Sequence, residues 1–216
     1  MLSLKNNFIF VHIPKSAGLS IRSCLRKHAS TEAQLSAGHP YFKEYEDFVK
    51  NNDTEKDIQD YFVFTCSRNP FDRLLSAYFF IKNGGIGLES DQCLRDTFAF
   101  DDSNFTNFIK FELKKITNFD GCKVQRPFVG DETPRHFHPQ VKFIDKNNID
   151  YVMRFEDLEN HFSFVCSKLG IPKLELPKKN LGTKKIEDYR EHYTEETREI
   201  VELIYKEDLE YFNYEF

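Results

Sequence analysis

The stretch NFIFVHI (7–13), stopped by Pro14 and followed at once by KSAGLSI, constrains this chain more than any other segment. An apolar run with β-branched residues is a strand buried on both faces, as a parallel sheet requires. The pattern after it predicts a helix from Gly18 or Leu19 to about His28, burying Ile21, Cys24 and Leu25. The unit then recurs. YFVFTCS (61–67) reads as a second buried strand, and Asn69-Pro70 supplies an N-cap followed by proline at the first position of a helix running to about Lys82. Two strand-then-helix units predict an α/β chain with a three-layer parallel sheet flanked by helices.

The rest of the chain fits around this frame. A helix is expected over 40–50 with Pro40 in its first turn, and Asn83–Asp102, with three glycines and little periodicity, reads as a long loop or lid. Ser103 is expected to cap a helix to about Ile116. DYVMRF (150–155) is a third strand, and Phe155, Leu158, Phe162, Val165, Cys166 and Leu169 are at helical spacing until Gly170. Thr194 opens a last helix that turns Ile200, Val201, Ile204, Leu209 and Phe212 to the core. A length of 216 residues is met most simply by one domain, 1–216, and 23 Phe without Trp announce a core built on phenylalanine.

Several classes are disfavoured. The apolar run before Pro14 is too short to cross a membrane and has no signal-peptide cleavage site. Five cysteines without a C-x-x-C pair suggest neither a zinc site nor a disulfide framework, so reduced thiols in the cytoplasm are expected. Cys24, Cys66 and Cys166 fall at apolar positions, where a thiol is a small core hydrophobe. A net charge of −5 argues against a general nucleic-acid partner. Locally, KLELPKKNLGTKK (173–185) and the group Arg135, His136, His138, Lys142 and Lys146 are basic, either as solvated loops or as landing sites for an anion.

Chemistry concentrates after the first two strands. HIPKSAGLSIRS (12–23) brings Lys15, Ser16, Gly18 and Ser20 to a strand-to-helix turn, where amide groups and a helix N-terminus favour a phosphate-like anion. The spacing differs from G-x-x-x-x-G-K-[ST], because here the lysine precedes the glycine. Lys15 taken alone is equally a surface lysine at a strand end. After the second strand, CSRNPFDRLLSAY (66–78) sets Arg68 at the strand edge and Ser76 on the following helix. Arg68 can meet a second phosphate there, or simply pair with Asp72 at the helix start.

Together, HIPKSAGLSI and SRNPFDRLLSAY resemble the 5′-phosphosulfate and 3′-phosphate motifs of the PAPS-dependent carbohydrate sulfotransferases, in the branch that includes the heparan 2-O and chondroitin enzymes. RHFHPQ, RFEDLE and YKEDLEYFNY extend the resemblance over nearly the whole chain. It implies a sulfotransferase fold with a P-loop-like parallel sheet, PAPS as donor, PAP as product, no metal, and a carbohydrate or other hydroxyl acceptor. Lys15 would contact the bridging oxygen and sulfonate, with Ser16, Ala17, Gly18, Leu19 and Ser20 around the 5′-phosphate and Arg68 and Ser76 on the 3′-phosphate. Leu19 departs from the hydroxyl residue common at that position, leaving only its backbone N–H. His39, in AGHPYF, resembles the Gly-His pair that supplies the base, with His28 as its rival. His136, His138 and Gln140 would border the acceptor, while Glu156 is either another base or a brace at a helix start. Two other readings stand beside this one: a P-loop-type nucleotide-dependent kinase, and a glycan-binding module without catalysis.

Overall fold

The computed structural model describes residues 1–28, 39–52, 55–98, 100, 104–118, 133–177 and 188–216. In chain order its elements are β1 (Leu2–Ser3), β2 (Phe8–Val11), α1 (Gly18–Leu25), α2 (Phe42–Asn52), β3 (Phe62–Ser67), α3 (Pro70–Lys82), α4 (Glu89–Thr97), α5 (Phe105–Phe111), α6 (Leu113–Ile116), β4 (Tyr151–Arg154), α7 (Leu158–Lys168), α8 (Glu195–Ile204) and α9 (Lys206–Phe212). They fall into two compact units, Met1–Arg68 with Gln140–Lys185, and Asn69–Pro139 with Ile186–Phe216.

The first unit holds the sheet, ordered β1-β2-β3-β4. Strands β2, β3 and β4 are parallel, in a register that sets Val11 opposite Thr65 and Cys66 opposite Met153. This is the expected parallel sheet, made mixed by the short antiparallel edge strand β1, which the sequence pattern did not announce. All four residues of β2 are buried, as a strand covered on both faces must be. One face, carrying Phe8, Phe10, Phe64, Cys66 and Met153, packs on Ile21 and Leu25 of α1 and on Phe162, Val165 and Cys166 of α7.

The second unit is helical, with a core dominated by phenylalanine. Tyr78 contacts Phe100, Phe105 and Phe108 at centroid distances of 5.6, 5.1 and 5.2 Å, and Phe137 closes the cluster 5.5 Å from Phe108. Such ring pairs add about 0.5–1.5 kcal/mol each to plain area burial. Helix α3 begins as its sequence predicts, with Asn69 as N-cap and Pro70 at the first position.

Four expectations need correction. The segment Asn83–Asp102 is not one long loop, because Glu89–Thr97 forms α4. The glycines are concentrated before it, at positive φ (Gly84 94°, Gly85 60°, Gly87 81°), and the turn is held by the Asp91 carboxylate, which accepts from the amides of Ile86 and Leu88. Apart from the bound Asp91, only Leu94 of α4 is buried, so no apolar period marks the helix. The helix expected to Ile116 breaks at Glu112 and is capped by Asn104, whose side chain accepts from the Asn107 amide; Ser103 lies outside the described residues. The last helix breaks at the buried Tyr205, with Glu207 and Asp208 opening α9. Cys66 and Cys166 are buried thiols as expected, but Cys93 is disulfide-bonded, against the expectation of thiols throughout. No helix among the described residues is long and apolar enough to cross a membrane.

Besides capping α3, Asn69 donates to the Tyr189 hydroxyl at 3.1 Å and the Glu215 carbonyl at 2.7 Å. We expect Asn69→Ala to cost about 1–2 kcal/mol of stability in urea denaturation; a loss within about 0.5 kcal/mol would show that neither cap nor bridge matters.

Candidate active site

The loop after β2 is built from conformations that an isolated chain avoids. Lys15 and Ala17 have positive φ, 67° and 58°, in the left-handed region that costs a residue with a Cβ about 1–2 kcal/mol. The strain is held by close packing. A Cβ added to Gly18 would lie 1.7 Å from His12 Cδ2, so only glycine lets α1 start against that ring. The N-cap of α1 is Ala17, which gives no side-chain hydrogen bond, and the first turn has no acidic residue. The amides that open a helix have no intrahelical partner, so this end of α1 favours an anion.

Two side chains sharpen that preference. Ser16 is 1% exposed, and its hydroxyl has no hydrogen-bond partner among the described residues. An unsatisfied buried hydroxyl is costly, and an anionic oxygen would satisfy it. Lys15 is largely withdrawn from water, and this burial, with the nearby Arg68 cation, lowers its pKa to about 8. Ser20 is buried in the first turn of α1, whereas Leu19 is 56% exposed and has only its backbone to offer an anion.

Parallel pairing places the end of β3 beside this loop. The Arg68 guanidinium donates to the Lys15 carbonyl at 3.0 Å and lies over the Phe155 ring, 4.2 Å from its centroid. Its backbone is held by Gln140, whose amide oxygen accepts from the Arg68 N–H at 3.0 Å while its amide nitrogen donates to the Arg68 carbonyl at 2.9 Å. Gln140 is fully buried, and both ends of its amide brace the Arg68 backbone. Neither this brace nor the Phe155 platform was legible beforehand.

The histidines separate by position. The His39 ring meets His12 edge-on, 4.3 Å between centroids, while Ala37 and Gly38 lie outside the described residues. His28 is in the turn Arg26–His28 at the far end of α1, about 12 Å of helix from the loop. Glu156 is exposed in the turn Phe155–Asp157 that leads into α7, as a helix-start residue is. In the second unit, Ser76 is half-buried on α3. His136 stacks on Phe80 with centroids 5.1 Å apart, and His138 is 8% exposed. The segment carrying both is clamped by the buried Arg73, which donates to the His136 and His138 carbonyls at 3.1 and 2.6 Å, and by the Tyr205 hydroxyl, which donates to the Phe137 carbonyl at 2.7 Å. Most of the basic stretch 173–185 lies outside the described residues.

A model of the sulfotransferase family matches residues 1–215. The chain belongs to the sulfotransferase family. Searches of curated proteins and of solved structures returned no match. Membership makes sulfuryl transfer the general chemistry of this sulfotransferase, and the match runs through both compact units.

The Lys15 shift has a definite sign. Its folded pKa of about 8 lies below the ordinary lysine value of 10.5. Below pH 8 the folded state bears the full cost of a buried cation; between the two values the unfolded chain binds more protons, so stability rises with pH. We expect Lys15→Met to be more stable than the wild type at pH 7, by on the order of 1–3 kcal/mol. That advantage should shrink toward pH 10.5. A gap that is constant with pH, measured by denaturation of both proteins, would show that Lys15 is not strained by its charge.

Proposed function

We propose that this sulfotransferase takes its sulfuryl group from PAPS and transfers it to a hydroxyl of a carbohydrate, with Lys15 and His39 as catalytic residues. The observation that carries this reading is the pair of anion-ready turns at adjacent strand ends: the strained loop after β2, whose buried Ser16 hydroxyl has no hydrogen-bond partner among the described residues, and Arg68 after β3. PAPS has two separated phosphate groups and, when bound, supplies an activated sulfuryl group. Ser16, Ala17, Gly18, Leu19 and Ser20 would hold the 5′-phosphate through the Ser16 hydroxyl and the helix-opening amides. Arg68 and Ser76 are assigned to the 3′-phosphate, where a charge-assisted pair contributes about 1.5–3 kcal/mol.

Lys15 neutralises charge that develops on the leaving phosphate, and an anion beside it favours its protonated form. Its cation and that of Arg68 make a metal unnecessary in this mechanism, so a chelator should leave turnover unchanged. His39 is the general base: its ring nitrogen gains the proton as the acceptor O–H bond breaks. His136 and His138 are assigned to the acceptor, and Gln140 acts through Arg68. We treat 1–216 as one sulfotransferase domain, because the family match spans both units. The disulfide at Cys93 favours an oxidising compartment over the cytoplasm; alkylation of Cys93 without reductant would contradict that placement.

The test is transfer of labelled sulfate from PAPS to a panel of oligosaccharides. Lys15→Ala should lose turnover more severely than affinity for PAP, because PAP lacks the sulfonate whose departure the lysine assists. His39→Ala should keep PAP affinity and lose about 10²- to 10⁴-fold in rate. No transfer by the wild type to any hydroxyl acceptor, or near-normal turnover in His39→Ala, would overturn the donor or the base assignment respectively.

A further inference from the structure

The residue that follows β2 has no part in the chemistry above, yet it touches the proposed base. His12 is 3% exposed and stacks on Phe10, 6.0 Å between centroids at 18°. On another side it abuts Gly18, so closely that no Cβ fits between them. It also meets the His39 ring, at 4.3 Å and 61°. The alternation along β2 leads Phe8, Phe10 and His12 to one face, so a histidine stands where the strand pattern calls for a hydrophobe.

Two imidazoles at this distance, one of them almost without water, resist double protonation. Desolvation and like-charge repulsion act together against the second proton, and such a pair titrates in two coupled steps. We infer that His12 is a positioning residue for His39: its fixed ring sets how the His39 ring is presented, and its proximity restricts the pair to one proton. His12, the more buried ring, is the one denied a proton, so the pair's single proton goes to His39, the ring that the proposed reaction needs as its acceptor. This rests on the reading of His39 as the base.

The charged groups on the neighbouring elements are the cations Lys15, on the loop, and Arg68, after β3, and Glu44 of α2, whose carboxylate accepts from the Tyr41 amide at 2.6 Å, two residues beyond His39. All three are unchanged when His12 alone is replaced.

The experiment is histidine proton–carbon NMR titration of the full chain without donor or acceptor, on the wild type, His12→Gln and His39→Gln. In the wild type, both rings should titrate in two coupled steps. In His39→Gln the His12 midpoint should rise by about 1 pH unit or more, because the competing charge is gone. In His12→Gln His39 should titrate in a single step, without the second inflection that its neighbour's protonation imposes. An unchanged His12 midpoint in folded His39→Gln overturns the inference. If that variant does not fold, the His12→Gln half decides, and a second His39 inflection persisting there overturns it equally. The titration is independent of sulfate transfer: a wild type with coupled titration but no transfer would refute the function and leave the coupling standing, whereas transfer without coupling would do the reverse.

Discussion

Parallel pairing of β2 with β3, in the register that sets Val11 against Thr65, is the constraint from which the candidate active site follows. It brings the carboxyl ends of both strands to one edge, where an open α/β sheet has its ligand crevice. The Thr65 hydroxyl donates to the Val11 carbonyl at 2.8 Å, at the last paired position before the loop begins. One step further, Arg68 reaches the Lys15 carbonyl and ties the two strand ends together. The third strand contributes from the other side, with Phe155 supporting the guanidinium directly after β4. If the register slipped by one residue, every side chain of β2 would change face and the loop would lose its partner.

The site is held in states that are unfavourable in isolation. Left-handed backbone at Lys15 and Ala17, a Ser16 hydroxyl without a partner among the described residues and a lysine kept short of water all cost stability in the free protein. The surrounding packing offsets these costs, chiefly the buried strand and the contact of Gly18 with His12. An anion of the right shape would satisfy the Ser16 hydroxyl and neutralise the lysine, while the backbone costs would stay in place. A disposition of this kind suits a reaction whose charge develops on a leaving phosphate.

What could be read beforehand was what local pattern carries. The run Phe8–Val11, the cap at Asn69-Pro70 and the turn at Gly170 each follow from one short stretch, and each stands where its sequence predicts. Elements fixed by distant partners were not legible. Helix α4 depends on Asp91 gripping amides across a glycine turn, and the break at Tyr205 accompanies a hydroxyl that reaches Phe137. The same division holds in the site. Lys15, Ser16 and Arg68 follow from motif spacing, but Gln140 meets Arg68 across 72 positions, and its role as a brace emerges only in three dimensions. His12 was visible within HIPK, and its apolar surroundings disguised it as the end of a strand.

The central claim is that two separate anion sites, one at each strand end, bind one nucleotide. The most direct test is a comparison, by titration calorimetry, of PAP with adenosine 5′-phosphate, which lacks only the 3′-phosphate. The account requires PAP to bind more tightly by about 10- to 150-fold, the worth of one charge-assisted pair at Arg68. Equal affinity for the two nucleotides, or no binding of either, would contradict it.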